Sequence, residues 1–361
     1  MTPLSRAPLP RAAALAAYLL VGGTIQAQRP AGSCGLDFDS TYVVITRDYA
    51  GYQDRLRENG PRITALTDSV RAALVEASDS TCTPLLQRWI APFAEHDHHL
   101  QLWQPRPEAA GQDARASGED RRRPSLEFPD DSTAVLTLPD FAERYKPAID
   151  SLIASHRGRL LATPYLVVDV RRNGGGATRA YAEVVPLLYT DPIARDGMEF
   201  WVSEGNLAMA RAMVDDPRTP PGMKAEAARL LPQLERSLGR FFSMGAIDSL
   251  KLDTVYALPR AVVVLTGRGC ASSCEQFVLD AMHSKKVTVV GTEHTAGFLD
   301  YGNIRTITLP SGIRRLAYAT SRSHRLPERP MDYTGIVPQV LIPREETDGL
   351  AFAIRYLKSR K

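Results

Sequence analysis

The sequence predicts an α/β (α+β) fold: a largely parallel β-sheet core with layered helices, preceded by a small helical N-terminal domain. Two near-continuous apolar stretches, "PYLVVDV" (164–170) and "AVVVLTG" (261–267), each run into a glycine-bearing loop and then a helical pattern, as strands buried on both faces do. From Phe38 to Phe93 apolar residues recur instead at helical spacing. Between these regions, "PRPEAAGQDARASGEDRRRP" (105–124) has no large apolar side chain with which to build a core and reads as a linker.

The elements follow in chain order. Arg6 and Arg11 precede the apolar run Ala12 to Val21, then Gly22-Gly23 and a cleavage position after Ala27, the layout of a signal peptide over 1–27. The run is short for a membrane span. In the N-terminal domain, 28–104, Ile63, Leu66, Val70 and Leu74 form a stripe after Pro61. Ser80 is placed to cap a helix carrying Leu85, Leu86, Trp89, Ile90 and Phe93. "EHDHHLQLW" ends this region in a strand through Leu100, Leu102 and Trp103. In the core, 125–361, "STAVLTL" reads as a strand, Phe141 to Ser155 as a helix, "PYLVVDV" as a buried strand leading into "RRNGGG", and Tyr181 to Leu188 as a helix. A helical insert over about 204–245, with helices from Asn206 to Phe242, precedes "AVVVLTG". The strands "VTVVG", "IRTITL", "IRRLAYA" and "QVLI" and a final helix complete the chain.

With 361 residues, 44% hydrophobic and 24% charged, the chain is long enough to bury a cleft, and its composition argues against disorder and a multi-span membrane protein. A net charge of +3, falling to +1 without Arg6 and Arg11, gives no reason to expect nucleic acid. Nothing beyond the signal peptide points to membrane, so a periplasmic or secreted location is expected. Ala31, three residues before Cys34, makes a poor lipidation signal. In an exported chain four cysteines suggest disulfides. Cys34 with Cys82 and Cys270 with Cys274 is the simplest pairing, and the crossed pairings stay open.

Three segments could carry chemistry. "DVRRNGGGATRAY" (169–181) places three glycines between a strand and a helix, where accessible backbone N–H groups can hold an anion; its glycine spacing fits neither the P-loop nor the dinucleotide fingerprint. A plain tight turn is the competing reading. "GRGCASSCEQF" (267–277) puts Ser272 at a helix N-terminus, where helix dipole and N–H groups favour negative charge; Ser272 with Glu275 is equally a capping box. No Gly-x-Ser-x-Gly elbow occurs, and Glu275 stands where a Ser-x-x-Lys pattern would need lysine. "EHDHHL" gathers His96, Asp97, His98 and His99, a source of a general base or of metal ligands, although the order lacks the His-x-His-x-Asp-His of a dinuclear hydrolase.

In combination these segments resemble the tail-specific (C-terminal processing) serine peptidase superfamily, in the PDZ-less branch with the tricorn protease core, the chlamydial protease-like factor and the retinoid-binding photoreceptor repeats. "FAEHDHHLQL", "LVVDVRRNGGG", "VVVLTGRGCASSCEQFVLDA", "VTVVGTEHTAG" and "MDYTGIVPQVLI" are similar to five of its motifs and stand in the family's order. The resemblance implies a ClpP/crotonase-like core and a cofactor-free serine endopeptidase acting on polypeptides. It selects Ser272, three residues before Glu275, as nucleophile and His99 as base. Asp332 is the third member, with Glu328 as alternative. Gly174, Gly175 and the Ser273 N–H would form the oxyanion hole; Asp97, His98 and Asn173 would support, and Arg171 would brace the glycine loop. Relatives with a serine-lysine dyad carry their lysine where Gly297 stands, so the dyad is not expected, and Gln339 replaces an acid. Leu100 to Ser132 is too short for a PDZ domain. A homo-oligomer is compatible with all of this. The rival readings are a non-catalytic ligand- or peptide-binding protein on the same fold, and a cysteine or metal hydrolase.

Overall fold

The structure is a computed structural model that describes residues 33–105, 123–243 and 248–359. The expected signal segment and nearly all of the expected linker lie outside the described residues. Helices α1 (Ser33–Arg47), α2 (Tyr52–Ala73) and α3 (Asp79–Ala94) come first, and β1 (Gln101–Trp103) follows the histidine segment. α2 breaks at Asn59 (φ −129°, ψ 16°), which leaves Pro61 near the start of its second half, where proline's missing N–H is tolerated. α3 starts earlier than a cap at Ser80 would allow: Ser78 precedes its first turn, and the Ser78 N–H donates to Thr81 Oγ1 at 2.9 Å.

Beyond the linker come β2 (Ser125–Asp130), β3 (Thr133–Thr137), α4 (Lys146–Leu160), β4 (Tyr165–Asp169), the short α5 (Val185–Leu188), β5 (Ile193–Arg195) and β6 (Met198–Trp201). The insert holds α6 (Glu204–Asp215) and α7 (Pro221–Glu235), followed by β7 (Phe241–Ser243) and β8 (Asp248–Leu250). The chain closes with β9 (Ala261–Thr266), α8 (Ser273–Met282), β10 (Val287–Gly291), β11 (Tyr301–Thr308), β12 (Arg315–Ser323), β13 (Val340–Leu341) and α9 (Gly349–Ser359). Two expectations shift. The helix expected from Phe141 opens as a 3-10 turn and becomes α-helical at Lys146, with a proline in its first turn. Phe242, expected at the end of a helix, instead pairs with Phe200 across β6 and β7.

The main sheet has the order β13-β10-β9-β4-β3-β2, parallel from β13 to β3, with β2 antiparallel at the edge. Leu166, Val168, Val262 and Val264 pack against α4 and α8 on one face; Val167, Val263 and Leu265 pack against α9 on the other. Burial on both faces is why these strands read as unbroken apolar runs. A second, antiparallel sheet has the order β1-β12-β6-β7, with β11 also on β12. The N-terminal helices share its core: Phe38, Trp89 and Phe93 cluster with Tyr301, Leu316 and Tyr318. Arg314, fully buried, pairs with the equally buried Asp37 at 2.8 Å and fastens the β11–β12 hairpin to α1. Removing either partner would strand a buried charge, at about 3–5 kcal/mol. The Cys34–Cys82 disulfide, spanning 48 residues, joins α1 to α3 and contributes about 4 kcal/mol by restricting the unfolded chain. With Leu102 in register with Leu316, the histidine segment is carried to the loop between β10 and β11.

Candidate active site

The turn from β9 into α8 is built on close backbone approach. A side chain at Gly269 would lie 2.4 Å from the Arg171 carbonyl oxygen, so only glycine fits there. The Ala271 N–H donates to the Asn173 carbonyl at 3.0 Å, and the Ala296 N–H to the Cys270 carbonyl at 2.9 Å, tying this turn to two neighbouring loops. Ser272, half-buried, adopts φ 56° and ψ −122°, a region that non-glycine residues occupy only under constraint and that recurs at functional sites. The Cys270–Cys274 disulfide brackets it, with Cα atoms 5.4 Å apart.

The glycine loop lies directly against this turn. A Cβ at Gly175 (φ 97°) would sit 2.6 Å from the Ala271 carbonyl oxygen and 2.9 Å from Ser272 Cβ. Buried Asn173 holds the loop: its amide donates to the Leu138 carbonyl at 2.8 Å, and its Oδ1 accepts from Gly175 N–H at 2.9 Å. The Gly175 N–H is therefore engaged by Asn173 rather than free, and Gly175 also serves as a spacer against the Ser272 turn. Gly174 is exposed beside it, and Ser273, first residue of α8, has an N–H without an intrahelical acceptor. Arg171 braces the loop base through Asp169 at 2.6 Å.

Glu275 does more than cap the helix. Its side chain is fully buried and accepts four hydrogen bonds: from Ser272 N–H (2.9 Å) and Phe298 N–H (2.8 Å) at Oε2, and from Thr295 Oγ1 (2.6 Å) and Gly297 N–H (2.7 Å) at Oε1. It fixes the backbone of Ser272 to the loop after β10. The Ser-x-x-Glu spacing signalled this residue, but only its local half was legible.

The same loop receives the histidine segment. His98 Nδ1 donates to the Gly297 carbonyl at 2.8 Å, and Phe298 packs on both His98 and His99, with centroids 4.9 and 5.0 Å apart. His96 stacks on Tyr333, with ring centroids 3.7 Å apart. Among the described residues no three His, Cys, Asp or Glu side chains converge as a metal-holding group. Asp97 is fully buried, and its Oδ1 accepts from the His99 backbone N–H at 2.9 Å and lies 3.8 Å from His99 Nδ1. Burial pushes Asp97 up to about 6 and, aided by His98, holds His99 down to about 4. The base would therefore rest neutral.

Asp332, also buried, accepts from Leu299 N–H (2.5 Å) and Asp300 N–H (2.8 Å) through Oδ1, while Oδ2 has no partner among the described residues. Burial and then Asp300 push it up to about 8. Glu328 is exposed. No hydrogen bond joins Ser272 Oγ to His99, and Asp332 forms no ion pair with His99, whose nearest paired carboxylate among the described residues is Asp97. The Ser272 backbone (through Glu275), the His99 ring (through Phe298) and the Asp332 carboxylate are thus each tied to one loop, 295–300, with no hydrogen bond or ion pair between any two of the three side chains. Gln339 Oε1 accepts from Val289 N–H at 2.8 Å, holding β13's approach to β10.

The profile of Peptidase family S41 matches residues 132–342. Among solved structures, the chain is similar to mature CPAF complexed with lactacystin, at TM-score 0.59 and 10% identity over 91% of this chain and 97% of that one. It is also similar to a structure from Parabacteroides merdae ATCC 43184 (TM-score 0.56, 16% identity, 90% and 96% covered). A lipoprotein from Streptococcus agalactiae gives TM-score 0.50 and 17% identity, with 96% and 100% covered. At these identities the likeness is one of fold. No curated protein matches the sequence.

Proposed function

The chain belongs to peptidase family S41 and is a serine-type peptidase; on that premise we propose an exported endopeptidase without a PDZ module that cleaves polypeptides with Ser272 as nucleophile. The observation that carries this reading is the constrained backbone of Ser272 at the start of α8, fixed by Glu275 and lying against the glycine loop. His99, neutral at rest, accepts the Ser272 proton as Oγ attacks the scissile carbonyl, and later returns it to the leaving amine. The Ser273 and Gly174 N–H groups receive the oxyanion; one such donor contributes roughly 3–4 kcal/mol to transition-state stabilisation. Asp332 supports the imidazolium. That role needs the ionised carboxylate: closure that brings the His99 cation beside Asp332 lowers its pKa, and the proton it releases passes to solvent.

Contact between His99 and Ser272 requires closure around substrate, a common step, because hydrogen bonds at such sites tighten only in the complex. Two disulfides and the basic, apolar N-terminus support export. The test is Ser272→Ala, assayed on an unfolded protein substrate and with a fluorophosphonate probe. Both signals should vanish while the melting temperature holds; persistence of both would refute the assignment.

A further inference from the structure

At the carboxyl ends of β3, β4, β9 and β10, beside the loops that carry Ser272 and Gly174, lies a cavity of about 470 Å³. Arg171, Arg172, Arg268, Asp169, Glu293 and Thr266 are among its lining residues. Ligands of parallel α/β sheets bind at this end of the strands. The charges do not balance. Arg171 is neutralised by Asp169, but Arg172 has no ion pair among the described residues, and Arg268 donates to the His294 ring at 2.8 Å rather than to a carboxylate. Glu293 is the one lining acid without an ion-pair partner among the described residues, and three lining arginines face two lining acids, with Asp348 acting on Arg171 from outside the lining. Thr266, fully buried, also has a hydroxyl with no hydrogen-bond partner among them. A buried polar group left unpaired loses free energy until something supplies its partner.

The cavity is close to the chemistry. Gly269, another lining residue, stands three Cα steps before Ser272, hence within about 11 Å, and Arg172 stands two steps before Gly174, hence within about 8 Å. An extended peptide advances about 3.3 Å per residue, so the cavity lies within roughly three residues of the scissile bond. Guanidinium forks match carboxylates in charge and geometry. We propose that this cavity is a substrate subsite that takes the side-chain carboxylate of an acidic residue of the polypeptide, close to the bond cleaved. The proposal rests on the peptidase reading above.

The test uses fluorogenic peptides that differ only by Glu or Gln at each of three positions on either side of the cleaved bond, each made as C-terminal acid and amide. kcat/KM should favour a carboxylate-bearing peptide by about tenfold, the scale of one charge-assisted hydrogen bond. A Glu-to-Gln difference supports the proposal; an acid-to-amide difference without one would place the chain terminus there instead and overturn it. The Arg172→Gln/Arg268→Gln protein should bring the ratio near one, and the control Arg218→Gln, on an arginine remote in sequence and 89% exposed, should not. If the double variant does not fold, Arg172→Gln alone, at an exposed position, should lower the ratio. Equal kcat/KM for all peptides, or a ratio retained in the folded variant, would overturn the proposal. If no peptide is cleaved, the peptidase reading fails separately. Fluorescence anisotropy of the same peptides on the Ser272→Ala protein then decides the subsite: a carboxylate preference lost in the arginine variant supports it, and equal binding overturns it.

Discussion

Glu275→Gln is the sharpest probe of how the site is held. Each carboxylate oxygen of Glu275 accepts two hydrogen bonds, and the side chain is fully buried. Glutamine keeps one oxygen, but its amide group would face two donors, whichever way it turns. Two buried donors left unsatisfied, at about 1–3 kcal/mol each, cost about 2–6 kcal/mol. That is a large share of the roughly 5–15 kcal/mol by which a domain is stable. The melting temperature should fall by at least about 3 °C. Fluorophosphonate labelling of Ser272 should slow by more than the folded fraction explains, since the Ser272 N–H and the 295–298 loop lose their common anchor. Glu275→Asp keeps the charge but shortens the reach, and should also slow labelling. Wild-type melting and labelling of Glu275→Gln would show that this carboxylate is only a helix cap and refute the reasoning.

Two further outcomes follow from the same loop. Asp332, pushed up to about 8 in the folded protein, titrates near 3.9 when unfolded, so the folded state holds the extra proton between these values and stability falls as pH rises through them. His99, held down to about 4, slopes the opposite way below about 6.5, so Asp332 dominates this pair from pH 6.5 to 8, where it should cost about 2 kcal/mol. Thermal melts across that range should decline for wild type and flatten for Asp332→Asn; parallel declines would refute the assignment. Gly297→Lys, which puts lysine where the dyad relatives carry it, should destabilise the protein and fail to restore proteolysis to His99→Ala. Gly297 has φ 77°, and its Cβ would lie 3.1 Å from the Asp332 carbonyl oxygen. Recovered cleavage in the double variant would contradict this.

The parallel strands and the positions of the glycine loop and the Ser272 turn were legible because their signals are local: apolar runs, consecutive glycines, a serine before a helical pattern. The Asn173-x-Gly175 spacing also carried a readable signal, that of an Asx turn, which would have told that the Gly175 N–H is engaged. β5 to β8 were not legible, because strands of three or four residues show too little alternation to separate them from loops. Nor was the full role of Glu275, whose further donors lie 20 to 23 residues away. Sequence spacing shows a cap but not the loop that comes to rest on it.

That loop explains why the base is sought in the N-terminal segment. Gly297 and Phe298 give their N–H groups to Glu275, the Gly297 carbonyl takes His98, and Leu299 and Asp300 give their N–H groups to Asp332. Its main chain is thus committed to joining the Ser272 turn, the histidine segment and Asp332. Keeping those bonds requires a left-handed residue at Gly297, packed against Asp332, which leaves no unstrained position there for a lysine. A loop used as scaffold cannot easily also supply the proton acceptor. If His99 is the base, the N-terminal helices that lead to it must pack against the core, and the buried Arg314–Asp37 pair and the core shared with β12 fasten them there.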